Sequence, residues 1–165
     1  QNAAAEPKQA TQEPSSEPGA PEPKPSQKAE PATPSSGLDV LVAEDNEVNR
    51  LVITHILKEA GVSFKIAHNG REALALYAEQ QPSVILMDVS MPEMNGFDAA
   101  RAIREAEAES GRHTPIIAIT AHALKDDKEK CLAAGMDDYI SKPLSAARLK
   151  ERLTHWMRVA AQAAA

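Results

Sequence analysis

The sequence lacks features that several protein classes require. Its 165 residues include a single cysteine, Cys131, so a disulfide framework is excluded and a reducing cytosol is expected. No apolar run approaches the roughly 18 residues of a membrane span, and the amino terminus shows no basic-then-apolar signal pattern. We therefore expect a cytoplasmic location without membrane contact by this fragment. Because the sequence starts with Gln1 rather than Met, we expect a piece of a longer protein.

An excess of positive charge is also missing. Lys and Arg number 18 against 24 Asp and Glu, for a formal net charge of -6. After residue 37 the balance is similar, with 15 basic and 19 acidic side chains. A nucleic-acid binder is expected to carry a basic surface, so we predict no nucleic-acid binding by this domain.

Aromatic and branched aliphatic side chains are absent from residues 1–37, which contain eight of the twelve prolines. Such a segment buries too little to offset its conformational entropy, so we predict a disordered linker at 1–37, extended by its prolines into a spacer. The remainder, roughly 125 residues, has the size of one domain with one core. We place that domain at 38–160, with a disordered tail at 161–165.

From residue 39 onward, short apolar runs alternate with longer stretches of helical period, which indicates βα units around a parallel sheet. Strands are predicted at 40–43, 64–67, 84–87, 116–119 and 139–140, and helices near 47–60, 70–80, 97–109, 122–134 and 146–159. The first, third and fourth strands are apolar throughout and should be central, whereas Lys65 marks the second as an edge strand. The fold class is therefore α/β, with a doubly wound sheet of five parallel strands and five flanking helices.

Two helices carry signals for their ends or for their packing. Asn46 suits a helix start and Gly61 a helix stop. Between them, helical spacing groups Val48, Leu51, Val52 and Ile56. The last helix carries one apolar stripe formed by Leu149, Leu153 and Trp156.

Polar side chains follow four of the five apolar runs. Glu44 and Asp45 follow the first, Asp88 the third, Thr120 the fourth and Lys142 the fifth. In an open parallel sheet, ligands bind beyond the carboxyl ends of the strands, so these groups should converge. Each signal is weak alone, but their joint placement predicts a functional site.

Crowded carboxylates at one sheet edge repel one another and call for a cation. Oxygen ligands suit Mg²⁺, which keeps an open position for a phosphate oxygen. Asp88 can then act as a nucleophile on phosphorus and form an acyl phosphate. Mg²⁺, Lys142 and the Thr120 hydroxyl would stabilise the developing charge. No other cofactor is expected.

At these positions the sequence closely resembles the receiver domain of two-component response regulators, over residues 38–159. The motifs are Val-Ala-Glu-Asp-Asn at 42–46, Leu-Met-Asp-Val-Ser-Met-Pro-Glu-Met-Asn-Gly at 86–96, Ile-Thr-Ala at 119–121 and Asp-Tyr-Ile-Ser-Lys-Pro at 138–143. The resemblance implies a strand order of 2-1-3-4-5 and a cis peptide bond before Pro143.

The resemblance also implies roles for the residues of the acidic pocket. Asp88 would be the phosphoacceptor. Asp45 and Asp88 would bind Mg²⁺ directly, with the backbone carbonyl of Ser90 as a third ligand. Glu44 would be an acidic partner that holds water on the metal.

Further roles follow from the same resemblance. Thr120 and Lys142 would sense the phosphoryl group, and Tyr139 would be an aromatic switch whose burial changes when the Thr120 hydroxyl moves. Ser90 and His122 occupy positions that tune the lifetime of the phosphate. The family's phosphoryl donor is a phosphohistidine, so the expected partner is a histidine kinase dimerisation domain or a histidine phosphotransfer protein.

Two more motifs resemble receivers of hybrid histidine kinases: Glu-Asp-Asn-x-x-Asn at 44–49 and Cys-Leu-Ala-Ala-Gly-Met-Asp-Asp-Tyr at 131–139. Because a Pro-rich spacer precedes the domain and no output domain follows it, we predict the carboxyl-terminal receiver of a hybrid sensor kinase. It would lie at the cytosolic face of the inner membrane if that kinase is membrane-bound. The fragment has no kinase core, so it would act as a self-catalysed phosphoacceptor.

Three alternatives stay open. A stand-alone response regulator with a disordered arm would differ in what precedes Gln1. An Asp-nucleophile phosphatase similar to the haloacid dehalogenases would carry a second Asp where Ser90 stands. A flavodoxin-like flavin binder would have a Ser-, Thr- and Gly-rich loop in place of Glu44 and Asp45. His55, among apolar neighbours on the first helix, is interpreted as packing or partner-facing.

Overall fold

The computed structural model describes residues 37–122 and 124–163, so nearly all of the predicted linker lies outside the described residues. Strands and helices alternate along the chain: β1 (Val40–Ala43), α1 (Glu47–Ala60), β2 (Phe64–Ala67), α2 (Gly70–Gln80), β3 (Val84–Asp88), α3 (Gly96–Ser110), β4 (Ile116–Thr120), α4 (Lys125–Ala133), β5 (Asp138–Ser141) and α5 (Ala146–Ala163). All strand pairs are parallel, in the order β2-β1-β3-β4-β5. The predicted α/β fold class and strand order are confirmed.

The three central strands are buried along their whole length, as predicted from their continuous apolar runs. Their side chains alternate between two cores. One core, containing Leu41, Ile85 and Ala118, is covered by α2, α3 and α4. The other, containing Val42, Leu86 and Ile117, is covered by α1 and α5. The edge strand β2 is only partly buried.

Helix α1 begins and ends where the sequence predicts. The Asn46 side chain accepts a hydrogen bond from the Asn49 amide at 3.2 Å, and Gly61 ends the helix with a φ of 70°. The buried face, however, is formed by Ile53, Ile56 and Leu57. Of the four apolar residues grouped by spacing, Ile56 alone is buried, and the exposed ones are Val48, Leu51 and Val52. Spacing did not identify the core face because α1 is apolar on two sides.

Two helix boundaries differ from the prediction. Helix α4 begins at Lys125 rather than near residue 122, and its N-cap residue Leu124 makes no side-chain capping bond. Helix α5 continues to Ala163, so residues 161–163 are helical and the tail assigned from residue 161 is wrong there. Alanine has the highest helix propensity, which favours this continuation. Residues 164–165 lie outside the described residues.

The predicted stripe of α5 packs as expected, with Leu149 and Leu153 buried and Trp156 half-buried. The Trp156 indole donates a hydrogen bond from Nε1 to Oδ2 of Asp138 at 2.9 Å. The same oxygen accepts a hydrogen bond from Arg152 at 2.9 Å. These contacts join α5 to the first residue of β5.

An ionic network lies at the amino-terminal edge of β4, opposite the predicted site. Arg104 of α3 donates to the Gly135 carbonyl at 2.8 Å, to Asp137 at 2.7 Å and to Glu107. Glu107 is 3% exposed and also accepts hydrogen bonds from the Thr114 amide at 2.7 Å and the Tyr77 hydroxyl at 3.1 Å. The network fixes the loop before β5 to α3.

None of the helices in the described part of the chain combines the length and apolarity of a bilayer-crossing segment.

Candidate functional site

Three carboxylates meet at the carboxyl-terminal edge of the sheet. Glu44 and Asp45 follow β1, and Asp88 is the last residue of β3. One oxygen of each lies within 4.8 Å of the others. Glu44 and Asp88 are buried, whereas Asp45 is exposed. The predicted convergence of the acidic side chains is thus what the fold produces.

The Asp88 carboxylate is held from two sides. Its Oδ1 accepts a hydrogen bond from the Ser90 amide at 3.0 Å, and its Oδ2 lies 3.2 Å from Nζ of Lys142. Helix α3 begins directly against this residue at Gly96, where a Cβ atom would lie 2.3 Å from the Asp88 carbonyl oxygen. Only glycine allows this close approach, so Gly96 brings the start of α3 to the backbone of the acidic residue.

The Glu44 carboxylate is buried with one oxygen unsatisfied. Its Oε1 accepts a hydrogen bond from the Asn46 amide at 3.0 Å. Its Oε2 lies 3.5 Å from Lys142 Nζ, at ion-pair distance, but accepts no hydrogen bond from the described residues. Burial, and then neighbouring Asp88, raise the pKa of Glu44 from 4.5 to about 7, against the opposing effects of the Asn46 amide and the Lys142 charge.

A divalent cation fits this set of side chains. Three carboxylates supply hard oxygen ligands, and the unsatisfied Oε2 of Glu44 is a buried acceptor that lacks a donor. A cation would also favour the charged form of Glu44, whose neutral form burial favours. Asp45, Glu44 and Asp88 are therefore the residues that could hold Mg²⁺.

Lys142 and Thr120 come from the ends of neighbouring strands. The Lys142 amide donates to the Thr120 carbonyl at 2.7 Å, and the Lys142–Pro143 peptide bond is cis, as the family resemblance implies. The Thr120 hydroxyl donates to the His122 carbonyl at 2.9 Å, and its oxygen accepts from the His122 amide at 3.2 Å. The hydroxyl hydrogen is thus directed at the following loop rather than at the carboxylates.

Tyr139 lies on the edge strand β5, beside α4. It is half-buried, and Nζ of Lys128 lies 5.7 Å from the centre of its ring, a cation–π distance. The side chains of Ser90 and His122 are exposed. The ligand role of the Ser90 carbonyl, the switch role of Tyr139 and the lifetime-tuning roles of Ser90 and His122 remain predictions.

Sequence reasoning missed Arg50. Its Nη1 donates to the Asp45 carbonyl at 2.5 Å and to the Glu44 carbonyl at 3.3 Å, so it contacts the backbone of the acidic loop. A signal was present in the sequence, because the first turn of a helix disfavours a cation and Arg50 stands in that turn.

Comparison with known proteins identifies a family. The family model for the response regulator receiver domain matches residues 40–154. Hybrid signal transduction histidine kinase I of Dictyostelium discoideum is 48% identical over an alignment of 117 residues, and the match covers 68% of this chain and 7% of that protein. The chain therefore spans only a small part of that relative's length.

Two solved structures are similar in fold and sequence. One is the receiver domain of sensor histidine kinase PA1611 from Pseudomonas aeruginosa, with magnesium coordinated in the active-site cleft. It is 41% identical with a TM-score of 0.65, over 73% of this chain and 98% of that one. The other comes from the complex of the Saccharomyces cerevisiae phosphotransfer protein Ypd1 with the Ssk1 receiver domain. It is 33% identical with a TM-score of 0.68, and the match covers 73% of this chain and 89% of that one.

The family match, the strand order and the cluster of acidic side chains at the sheet edge all point to the same family. The chain belongs to the response regulator receiver domains of two-component signalling.

Proposed function

We propose that Asp88 accepts a phosphoryl group from a phosphohistidine in a two-component phosphorelay, assisted by Mg²⁺. One observation carries the proposal: a buried carboxylate ends the central strand β3, 3.2 Å from the Lys142 ammonium and grouped with two more acidic side chains. A buried acid with a cation on one side and acids on the other suits a charged, phosphate-bearing ligand better than an apolar one.

Asp45, Asp88 and the backbone carbonyl of Ser90 would bind the metal, with Glu44 as the acidic partner that holds water on it. The three grouped carboxylates and the unsatisfied Glu44 oxygen support this assignment, as does magnesium in the cleft of the PA1611 receiver. When bound, Mg²⁺ supplies positive charge to the phosphoryl oxygens.

The chemical step is a displacement at phosphorus. A carboxylate oxygen of Asp88 forms a bond to phosphorus while the bond from phosphorus to the donor's imidazole nitrogen breaks. The electron pair of that bond returns to the imidazole, and Asp88 becomes an acyl phosphate. The Lys142 ammonium, already 3.2 Å from Oδ2 of Asp88, balances charge on the transferred oxygens.

The switch would begin at Thr120. Its hydroxyl donates to the His122 carbonyl, and a phosphoryl group on Asp88 offers a charged acceptor in exchange. Rotation of this side chain changes the space beside Tyr139, so the surface of α4, β5 and α5 would respond. Ser90 and His122 flank the phosphoryl position and would tune its lifetime.

The test of the phosphoacceptor is mass spectrometry of the intact protein after treatment with acetyl phosphate and Mg²⁺. The wild-type chain should gain the mass of one phosphoryl group, and Asp88→Asn should gain none. Asp98→Asn, which changes an exposed carboxylate on α3, is the matched control and should be labelled like wild type. Equal labelling of Asp88→Asn and wild type would contradict the assignment.

The phosphodonor's docking surface is proposed at a groove between α1 and the segment after Lys142. Its lining is apolar apart from His55, and it comprises Leu51, Val52, His55, Ile56, Leu144 and Ala146. Both walls continue directly from the site, since α1 follows Asp45 and Leu144 follows Lys142 by two residues. A phosphohistidine has to approach buried Asp88 at the carboxyl-terminal edge of the sheet, and the groove adjoins that edge, so we assign it to a phosphohistidine-bearing domain.

The substitution Leu51→Glu tests docking of the donor protein separately from the phosphoryl transfer itself. Transfer from phosphorylated Ypd1 should slow markedly, because Leu51 is 65% exposed in the groove and a charge there opposes an apolar partner. Labelling by acetyl phosphate, which needs no docking, should stay at the wild-type level. Leu132→Glu, at an exposed leucine on α4, should affect neither reaction. Equal slowing by both substitutions would contradict this assignment.

We place the chain in the cytoplasm as a receiver domain of a hybrid histidine kinase, at the cytosolic face of the inner membrane if that kinase is membrane-bound. Identity of 48% to a hybrid kinase supports this context. A stand-alone regulator is the alternative, and the gene sequence upstream of Gln1 distinguishes them by a kinase core. A phosphatase is disfavoured because Ser90 stands where the second catalytic acid would be required.

A further inference from the structure

Arg50 stands where its charge does not help its own helix. It is the fourth residue of α1 (Glu47–Ala60), close to the positive end of the helix macrodipole. The acidic residue of the same turn, Glu47, has the favourable sign there. Contacts outside the helix therefore have to account for a cation at this position.

Those contacts are with the loop between β1 and α1. One guanidinium nitrogen of Arg50 donates to the carbonyl oxygens of Glu44 and Asp45, at 3.3 Å and 2.5 Å. Within residues 37–122 and 124–163, Arg50 forms no ion pair with a carboxylate. Arg50 thus binds the backbone of the acidic loop and leaves its carboxylates available to another cation.

Of the three acidic side chains, Asp45 is the one whose position depends most on this loop. Lys142 lies 3.2 Å from a carboxylate oxygen of Asp88 and 3.5 Å from one of Glu44. Asp45 is exposed, and in the described part of the chain no basic side chain pairs with it. The support that the described residues give this carboxylate is therefore the backbone of the loop, which Arg50 holds.

We propose that Arg50 is a positioning residue, which fixes the Glu44–Asp45 backbone so that Asp45 presents its carboxylate to a divalent cation beside Asp88. The inference rests on the proposed function, because that cation is the Mg²⁺ of phosphotransfer. It adds a residue that touches neither the metal nor the phosphoryl group.

The direction in which the Mg²⁺ affinity changes when Arg50 is removed distinguishes a positioning role from an effect of its charge alone. If Arg50 acted only through its charge, removing it would strengthen Mg²⁺ binding, because a cation near the site repels the metal. If it holds the loop, removing it weakens binding, because Asp45 loses its fixed direction. The two roles predict opposite changes in the dissociation constant.

The experiment is a calorimetric Mg²⁺ titration of the full chain. Arg50→Ala should weaken binding roughly tenfold, the size expected for a residue that orients a metal ligand. Arg50→Lys, which keeps the charge and a donor, should recover part of the affinity. Arg101→Ala removes the same charge from an exposed position on α3 and should bind like wild type. Thermal unfolding in EDTA shows whether each variant is folded.

Two results would overturn the inference in different ways. If the wild-type protein does not bind Mg²⁺, both the proposed function and the proposed role of Arg50 are contradicted. If the wild-type protein binds Mg²⁺ and Arg50→Ala binds it equally or more tightly, only the proposed role of Arg50 is contradicted. Should Arg50→Ala fail to fold, Arg50→Lys decides: weaker binding supports the role, and wild-type binding overturns it.

Discussion

The Lys142 ammonium lies 3.2 Å from Oδ2 of Asp88 although 54 residues separate the two in the sequence. The same nitrogen lies 3.5 Å from Oε2 of Glu44, so one lysine faces both buried carboxylates of the site. In the metal-free protein, Lys142 is their principal source of compensating charge. Phosphotransfer and stability should therefore both respond to this side chain.

Lys142→Met should destabilise the metal-free protein by about 2 kcal/mol, because removing one partner of a buried ion pair leaves uncompensated charge. Proton uptake by the carboxylates limits the loss. Mg²⁺ should stabilise the variant more than wild type, since the metal takes over the missing charge. Urea unfolding with Mg²⁺ and with EDTA measures both effects. Lys125→Met, at an exposed position of α4, is the control, and an identical response of the two variants would contradict the prediction.

The metal-free protein should lose stability as the pH rises from about 4.5 to about 7. Burial, and then Asp88, raise the pKa of Glu44 to about 7, so the folded chain keeps a proton that the unfolded chain has released. The unfolding free energy therefore falls with pH across this window. The upper limit is about 3 kcal/mol, since one pKa unit corresponds to about 1.4 kcal/mol.

Urea unfolding in EDTA at several pH values within this window measures the slope, and Glu44→Gln should flatten it. Mg²⁺ binding requires charged carboxylates, so added metal should stabilise the protein more at high pH than at low pH. A wild-type stability that rises through this window in EDTA would contradict the sign of the Glu44 pKa shift.

Arg104→Met should cost about 3 kcal/mol of unfolding free energy, because it leaves Glu107 and Asp137 without their shared cation. Burial alone would raise the pKa of Glu107, but hydrogen bonds from Thr114 and Arg104 outweigh it and the pKa lies below its ordinary value. The carboxylate therefore stabilises the fold at neutral pH, and this contribution disappears as the pH falls below about 4.5.

Calorimetric unfolding of Arg104→Met beside Arg101→Ala tests the network. Arg101 pairs with Asp98 on the surface of α3, and its loss should change stability by less than about 1 kcal/mol. Two equally small losses would show that the Arg104 network contributes no more than a surface ion pair.

The sequence was most informative where a few adjacent residues carry the whole signal. Continuous apolar runs identified β1, β3 and β4 as central strands, and the polar residues after them identified the acidic edge. Caps at Asn46 and Gly61 set both ends of α1 correctly. These signals are local, so one sequence suffices to read them.

The sequence was less informative where the outcome depends on distant partners. Two apolar faces on α1 have similar spacing, and only the packing of α5 and the sheet decides that Ile53 and Leu57 are buried. Helix α4 begins late without a capping side chain. Arg104 finds its partners Gly135 and Asp137 more than 30 residues away, at a separation that no local pattern encodes.

The hydrogen bond between Trp156 and Asp138 gives the protein an optical reporter. The chain contains one tryptophan, and its indole donates a hydrogen bond to Asp138, the residue immediately before Tyr139. Indole emission depends on hydrogen bonding and on the polarity around the ring. Any displacement of β5 against α5 should therefore change the intrinsic fluorescence, so movement between these two elements can be followed in real time without a label.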